Sequence, residues 1–202
     1  MQTLIMLILS TSAELDLMKE MRTAEYIKTI DWLKENASEH NVVWLECVSD
    51  EQPPYLNDAF PYYCTNCHNP YYVNQGANHG KALKKFFEDC EVEDSLAVQI
   101  TGRYHFLDTY FFDTVENNPG YDLYIKNTGD DQYFTGCFAI KTDYLIEWVN
   151  TTDWDALNLN MINFEKSLWT FSKEKNLNCY EVDSIHMDCN IFGKGNLSRA
   201  LV

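Results

Sequence analysis

The alternation of short apolar segments with amphipathic segments in the first half of the chain limits the possible folds most. Thr3–Leu9, Val42–Cys47 and Leu96–Ile100 have the length and composition of buried strands. Segments with helical spacing separate them, from Thr11 to Asn36 and from Gln75 to Cys90. Because parallel strands need such crossovers, the pattern predicts a parallel sheet with helices on its faces.

The second half of the chain has a different pattern. Two strand-like segments, Tyr121–Lys126 and Tyr133–Lys141, flank the turn sequence "NTGDD". Helical segments at Thr142–Asn150 and Asn160–Lys175 come next, and Cys179–Asp183 is a last strand. We therefore predict a single α/β domain over residues 1–202, with a mixed, mostly parallel sheet flanked by helices.

Charge and cysteine content limit the partners and the compartment. The net charge of −16 argues against nucleic acid and against an anionic membrane surface, since both need a basic face. Seven cysteines without a repeating spacing indicate reduced thiols and a cytoplasmic protein. The apolar run Leu4–Leu9 is too short for a signal peptide, and no segment approaches the ~18 apolar residues of a transmembrane helix.

"CTNCH", at Cys64–His68, matches the short pattern of covalent haem attachment. A haem would need an oxidising export route, which a cytoplasmic chain lacks. A zinc site would need a second pair of ligands, and no second C-x-x-C follows. We interpret the segment as a loop that contains cysteines.

Two glycine-containing segments are candidates for anion binding. In "NQGANHGKALKKFF", Gly76 and Gly80 allow a close backbone approach to a ligand, and Lys81 adds positive charge near a helix start. The segment lacks the P-loop spacing. In "TGRY", Arg103 follows a buried strand and offers a planar fork of donors that suits phosphate. The alternative for the first segment is a loop that leads into an amphipathic helix without binding a ligand. The alternative for Arg103 is a surface salt bridge.

Polar residues in the last third of the chain are further candidates. Glu165 lies near a helix start, where it is either a general base or an acid favoured by the helix dipole. In the tail, His186 and Asp188 could bind a divalent cation, and Lys194 between two glycines could bind an anion.

Taken in order, these segments resemble GT-A glycosyltransferases, which use nucleotide sugars. The first strand followed by "STS" resembles their nucleotide-binding loop, and "NQGANHG" resembles the N-x-G-x-x-x-G helix before the donor site. "LAVQITGRYHFLD" is similar to a Thr-Gly-Arg-Tyr stretch of enzymes from bacterial polysaccharide loci and large DNA viruses. "FTGCFAIKTDYLIEW" and "NFEKSLW" resemble the acceptor-side segments.

The resemblance implies a nucleotide-sugar donor, a glycan or other hydroxyl acceptor, and two halves, with nucleotide binding in residues 1–104 and acceptor binding in 105–202. Glu165 and Arg103 are the implied catalytic residues. The implied donor-binding residues are Ser10, Thr11, Ser12, Gly76, Asn78, Gly80, Lys81, Thr101, Gly102, Tyr104 and Lys194. The switch-point rule for open sheets predicts a donor site at the carboxyl ends of the strands.

Metal binding is where the sequence departs from the family. GT-A enzymes usually hold Mg²⁺ or Mn²⁺ with Asp-x-Asp after the fourth main strand, and this chain has Thr101-Gly102-Arg103 there. Its only literal Asp-x-Asp, Asp153-Trp154-Asp155, comes much later. We expect weaker metal dependence than in an Asp-x-Asp enzyme, with Asp108, His186 and Asp188 as candidate ligands of Mn²⁺ or Mg²⁺.

Two other functions fit part of the pattern. A non-catalytic module that binds a nucleotide or glycan would explain the missing Asp-x-Asp. A nucleotidyltransferase shares much of the architecture, but we expect it to carry paired metal carboxylates and a glycine-rich loop after the first strand. "STSAELD" contains no glycine.

Overall fold

The computed structural model describes residues 4–10, 19–48, 51–72, 74–93, 95–193 and 196–202. Within these ranges the strands are β1 (Ile5–Ser10), β2 (Asn41–Glu46), β3 (Tyr62–Cys64), β4 (Leu96–Thr101), β5 (His105–Phe106), β6 (Leu123–Gly129), β7 (Gln132–Lys141), β8 (Cys179–Glu181), β9 (Met187–Gly193) and β10 (Asn196–Leu201). The helices are α1 (Lys19–Asn36), α2 (Gln75–Asp89), α3 (Tyr110–Asn117), α4 (Thr142–Thr151), α5 (Trp154–Leu159) and α6 (Phe164–Glu174).

Seven strands form the main sheet, in the order β3-β2-β1-β4-β7-β6-β8. Strand β1 lies between β2 and β4 and is parallel to both. Strand β7 is antiparallel to β4 and β6, and β6 is parallel to β8. The sheet is therefore mixed and mostly parallel, with helices on its faces, which confirms the predicted fold class.

The sheet is buried on both faces because its central strands are apolar throughout. In β1, Met6 and Ile8 belong to the core on the α1 side, whereas Leu7 and Leu9 belong to the core on the side of α2, α4 and α6. Successive side chains of a strand point to opposite faces, so a continuous apolar run suits a strand that is covered twice.

A second, three-stranded antiparallel sheet, in the order β10-β9-β5, continues from the end of β4. Its register sets His105 opposite Asp188. No periodic pattern in the sequence predicts β9 and β10. It also left α3 unpredicted, because a helix of eight residues gives a short pattern.

The predicted helix Asn160–Lys175 is wrong at its start. Helix α6 begins at Phe164, since Asn163 is its N-cap and accepts a hydrogen bond from the Lys166 amide at 2.9 Å. Met161, with φ of 55°, ends the preceding turn. The "NTGDD" turn is confirmed, with Asp130 and Asp131 both at positive φ between β6 and β7.

None of the helices in the described ranges is both long and apolar enough to cross a membrane.

Candidate functional site

The carboxyl ends of three parallel strands meet at one edge of the main sheet. The Gly102 amide, just after β4, donates to the Leu9 carbonyl of β1 at 2.8 Å. The Cys47 amide, just after β2, donates to the Ser10 carbonyl at 3.3 Å. In an open α/β sheet this edge is the usual ligand-binding edge.

Arg103 lies at this edge, half-buried, directly after Gly102. Its Nη2 donates to the Tyr104 hydroxyl at 3.2 Å, and its guanidinium carbon lies 5.0 Å from the centre of the Tyr104 ring. The Tyr104 ring stacks on Phe134 of β7 with a centroid separation of 6.2 Å. Gly136 makes room for both rings, because a Cβ there would lie 2.3 Å from Phe134 and 2.8 Å from Tyr104. The arginine is therefore held by a packed aromatic pair.

Packing accounts for Gly102 as well. A Cβ at this position would lie 3.1 Å from the Leu9 carbonyl oxygen and 3.3 Å from the Tyr26 ring. The glycine lets the chain turn closely over the end of β1. Thr101, the last residue of β4, is buried beside it.

The positive charges of Arg103 and Arg22 both act on His79. Arg22 is in the first turn of α1, and His79 is near the start of α2. Burial, together with the positive charges of Arg103, Arg22 and His68, lowers the pKa of His79 to about 4. The His79 ring also packs edge-on against Phe164 of α6, with centroids 6.4 Å apart. The sequence analysis missed Arg22 and His79, because no motif connects the starts of two different helices.

Glu165 of α6 is bonded to the main sheet. Its Oε1 accepts a hydrogen bond from the Thr135 hydroxyl of β7 at 3.2 Å. Thr135 is followed in β7 by Gly136, which contacts Tyr104. Glu165 is preceded in α6 by Phe164, which contacts His79. Glu165 is thus joined to β7 directly, and its neighbour Phe164 packs against His79 of α2.

Several predicted donor-binding residues have internal partners instead. Ser10 is buried, and its hydroxyl donates to Glu46 at 2.8 Å and accepts from the Trp44 indole at 2.8 Å. Asn78 is buried and bonds to both the amide and the carbonyl of Asn69. The hydrogen bonds of these side chains stabilise the end of β2 and the loop after β3.

The two glycines of α2 also have a packing role. A Cβ on Gly76 would lie 2.5 Å from Phe164, and one on Gly80 would lie 2.4 Å from the Trp154 ring. The sequence analysis expected these glycines to let a ligand approach. In the structure they let α5 and α6 approach α2.

Lys81 belongs to a different surface from His79, since the two residues are roughly 200° apart around the helix. Its Nζ bonds to Asp155 at 2.8 Å and also to the Tyr72 hydroxyl. Asp153 caps α5 by accepting from the Ala156 amide at 2.9 Å. The literal Asp-x-Asp therefore connects α5 to α2 and caps α5.

The predicted metal ligands are split between two places. Asp108 bonds to His186 at 2.8 Å, and the imidazole holds the pKa of that carboxyl below its usual range. Asp188 is buried, and His105 lies between it and Glu25, at 3.4 Å and 3.3 Å. No three His, Cys, Asp or Glu side chains in the described ranges are arranged to hold one metal ion. Metal binding by Asp108, His186 or Asp188 stays a prediction, and we assign no chemical step to a metal ion.

The cysteines of "CTNCH" likewise belong to no group of three potential metal ligands within the described ranges. Cys67 lies 3.1 Å from the Thr65 hydroxyl, and burial raises the pKa of its thiol. Thr11, Ser12 and Lys194 lie outside the described residues, so their predicted roles stay predictions.

Comparison with known proteins gives structural neighbours only. No protein-family model matches the sequence, and no curated protein matches it. A nucleoside-diphosphate-sugar pyrophosphorylase from Vibrio cholerae RC9 matches with a TM-score of 0.60, at 10% identity over 92% of this chain and 94% of its own. A protein described as a nucleotide-diphospho-sugar transferase, from Desulfovibrio desulfuricans G20, matches with a TM-score of 0.57, at 12% identity over 90% and 80%.

Mouse xyloside xylosyltransferase 1 also matches, with a TM-score of 0.53 at 10% identity over 90% of this chain and 85% of its own. The fold is GT-A-like. At these identities the likeness concerns architecture alone. The GT-A-like fold is shared by sugar transferases and by nucleotidyltransferases, so the site must decide between these functions.

Proposed function

We propose that this protein is a glycosyltransferase that moves a sugar from a nucleotide-sugar donor to a hydroxyl group of a glycan or another acceptor. Residues 1–104 bind the nucleotide, and residues 105–202 bind the acceptor. The Thr-Gly-Arg-Tyr sequence favours the subset of such enzymes found in bacterial polysaccharide loci and large DNA viruses. The GT-A-like fold supports the general class of reaction.

Arg103 carries the proposal. It is a half-buried cation directly after β4, at the position where the resembling enzymes carry their metal-binding Asp-x-Asp. The diphosphate leaving group gains negative charge as the glycosidic bond breaks. A fixed guanidinium there stabilises the transition state more than the ground state, which is what catalysis requires. Tyr104 and Phe134 keep the guanidinium in position.

Glu165 is the proposed general base. Its carboxylate takes the proton of the acceptor hydroxyl while that oxygen attacks the anomeric carbon, and the bond from that carbon to the diphosphate breaks. The Thr135 hydroxyl fixes one carboxylate oxygen, so the other can face the acceptor. A base in this role belongs to an inverting reaction.

A substitution at Arg103 tests the donor site. Arg103→Ala should weaken donor binding or transfer by at least ~10-fold, because a charge-assisted pair with phosphate exceeds the ~1.4 kcal/mol of one decade. Arg103→Lys should restore only part, since lysine lacks the planar fork. Calorimetry with UDP-, GDP- and CMP-linked sugars, in Mn²⁺ and in EDTA, measures the affinity. Lys166→Ala, an exposed substitution on α6, is the control.

The products separate this proposal from its rivals. A glycosyltransferase releases a nucleoside diphosphate from a UDP- or GDP-linked donor and CMP from a CMP-linked donor, and slow donor hydrolysis shows this even without an acceptor. A pyrophosphorylase would instead form a nucleoside triphosphate from the nucleotide sugar and pyrophosphate. Binding without either product would leave a non-catalytic module. Unchanged donor affinity in Arg103→Ala, together with loss of binding in EDTA, would contradict the role of Arg103.

A further inference from the structure

Two stretches of this acidic chain contain no Asp, Glu, Lys or Arg. They are residues 59–80 and residues 156–164, which we call the first and the second neutral segment. Charged residues make up 23% of the chain, so a run as long as the first segment would ordinarily contain several of them. Its histidines add no charge near neutral pH, because burial lowers the pKa of both His68 and His79.

The structure brings the two neutral segments together. The Asn74 amide donates to the side-chain oxygen of Asn158 at 3.1 Å, and the Asn74 side-chain nitrogen donates to the Ile162 carbonyl at 2.5 Å. A Cβ on Gly76 would lie 2.5 Å from Phe164, so the segments are also closely packed. Two parts of the chain that are far apart in sequence therefore form one uncharged area.

This area, which we call the neutral surface, is formed by residues 69–72, 74–75 and 158–163. Large apolar side chains on it point to solvent. Tyr71, Leu159 and Met161 are 89%, 79% and 66% exposed. Burying such side chains against a ligand is favourable, because it removes apolar area from water.

Amide side chains lie between these apolar residues. Asn158 uses its side-chain oxygen to bond to Asn74, and Asn160 uses its side-chain nitrogen to bond to the Ala156 carbonyl at 2.8 Å. Within the described residues, these bonds leave the side-chain nitrogen of Asn158 as a donor and the side-chain oxygen of Asn160 as an acceptor for a ligand.

A neutral sugar is the class of ligand that fits such a surface. A hydroxyl group both donates and accepts, so it matches amide nitrogens and oxygens, and the C–H face of a sugar ring can pack on aromatic and apolar side chains. An anionic glycan would meet no lysine or arginine in either neutral segment, and the net charge of −16 would repel it. A protein partner more often covers a contiguous apolar patch without such interspersed amides.

The second neutral segment ends next to the proposed general base. Ile162 precedes Asn163, which is the N-cap of α6, and Glu165 is in the first turn of that helix. A sugar hydroxyl placed at Glu165 would therefore have the rest of its glycan beside the neutral surface.

We propose that the neutral surface binds the acceptor, and that the acceptor is a neutral glycan that extends from Glu165 across Met161 and Leu159. The inference rests on the proposed function, and it names the acceptor class and its binding surface. One neutral segment comes from residues 1–104 and the other from residues 105–202. The surface thus lies where the proposed nucleotide-binding and acceptor-binding halves meet.

Binding of defined oligosaccharides tests the class of ligand. The probes are neutral tetrasaccharides of glucose, galactose, mannose and N-acetylglucosamine, with a tetrasaccharide of galacturonic acid as the anionic comparison. In NMR titrations we expect at least one neutral probe to shift the methyl signals of Leu159, Met161 and Ile162. The anionic probe should shift none of them at the same concentration.

Leu159→Asp tests the surface itself. The side chain is exposed, so urea unfolding of the variant should match that of the parent. Binding of the neutral probe should weaken by at least ~10-fold, because the bound sugar would cover an unpaired carboxylate. Leu107→Asp is the matched control and should bind the probe like the parent. Leu107 is also exposed, and it follows Phe106, which belongs to the core on the α1 side of the sheet.

The outcomes distinguish this inference from the proposed function. If nucleotide sugars are cleaved but no neutral probe binds, or if Leu159→Asp binds the probe as tightly as the parent, the inference is wrong and the function stands. If a neutral probe binds at Leu159 but no nucleotide sugar is cleaved, the surface binds glycans and the function falls. Tighter binding of the anionic probe would overturn the inference. So would a parent that sediments as a dimer and a Leu159→Asp variant that sediments as a monomer, because the surface would then be an interface between two copies.

Discussion

At the scale of single residues, Glu165 and Arg103 have two distinct proposed roles, the general base and the cation that stabilises the leaving group. Arg103 is held by an aromatic pair, so its charge stays at the strand end. Glu165 is fixed through one carboxylate oxygen by Thr135, which is itself buried in β7. A cation for the leaving group and a base for the nucleophile are what a transfer to a hydroxyl acceptor requires.

Replacing Glu165 by Gln tests the base. Glutamine keeps the shape and can still bond to Thr135, but it cannot accept a proton. Transfer should therefore fall by ~10²-fold or more, with donor affinity nearly unchanged. Initial rates with acceptor, beside calorimetry of donor binding, measure both quantities.

Glu174→Gln is the matched control, because this residue is exposed at the far end of the same helix. It should transfer like the parent. Equal rates for Glu165→Gln and the parent would mean that Glu165 is only an acidic residue at the start of a helix and not the general base.

At the scale of elements, the start of α6 determines where Glu165 lies. Asn163 caps the helix through the Lys166 amide at 2.9 Å, and its amide nitrogen donates to Gln132 of β7 at 2.7 Å. The cap therefore joins α6 to the strand that carries Thr135. The N-terminus of a helix also favours a carboxylate such as Glu165.

Asn163→Ala should lower the free energy of unfolding by about 1 kcal/mol, since an N-cap side chain is lost. Asn163→Ser should keep most of the stability, because serine is a good N-cap, although it loses the bond to Gln132. Urea unfolding of the parent and both variants measures the difference. Equal losses for Ala and Ser would show that the bond to Gln132, and not the cap, stabilises this end of α6.

The sequence predicted β1, β2 and β4 because each is an apolar run, and it placed Arg103 directly after a strand and Glu165 near a helix start, where the structure also has them. It could not predict that Ser10 turns inward onto Glu46 or that Gly80 faces Trp154, because those partners lie far along the chain. His79 and Arg22 were missed for the same reason. Tertiary contacts decide these roles, and local patterns do not contain them.

At the scale of the whole molecule, a strongly acidic protein places a half-buried arginine, Arg103, at the carboxyl edge of its main sheet. The net charge of −16 would repel an anionic donor over the surface at large. A local cation is therefore needed to bind it. His79 makes the folded protein sensitive to acid, because burial and nearby positive charges disfavour its charged form in the folded state.

The sign of this pH effect follows from linkage. Burial and its cationic neighbours lower the pKa of His79 to about 4, whereas an unfolded histidine titrates near ~6.5. Between these values the unfolded chain binds more protons, so the free energy of unfolding rises with pH and falls as the pH drops from about 6.5 towards 4. The contribution of His79 to this loss is up to about 3 kcal/mol.

His79→Asn should remove this contribution, so the variant should lose less stability than the parent between about pH 6.5 and 4.5. Urea unfolding at several pH values in this window measures both slopes. A residual slope is expected, because burial also lowers the pKa of His68 and because Asp108 loses its bonded carboxylate form at still lower pH. The comparison therefore rests on the difference between parent and variant. Parallel slopes would mean that His79 is protonated as readily in the folded protein as in the unfolded chain, and that neither its burial nor the nearby positive charges shift its pKa.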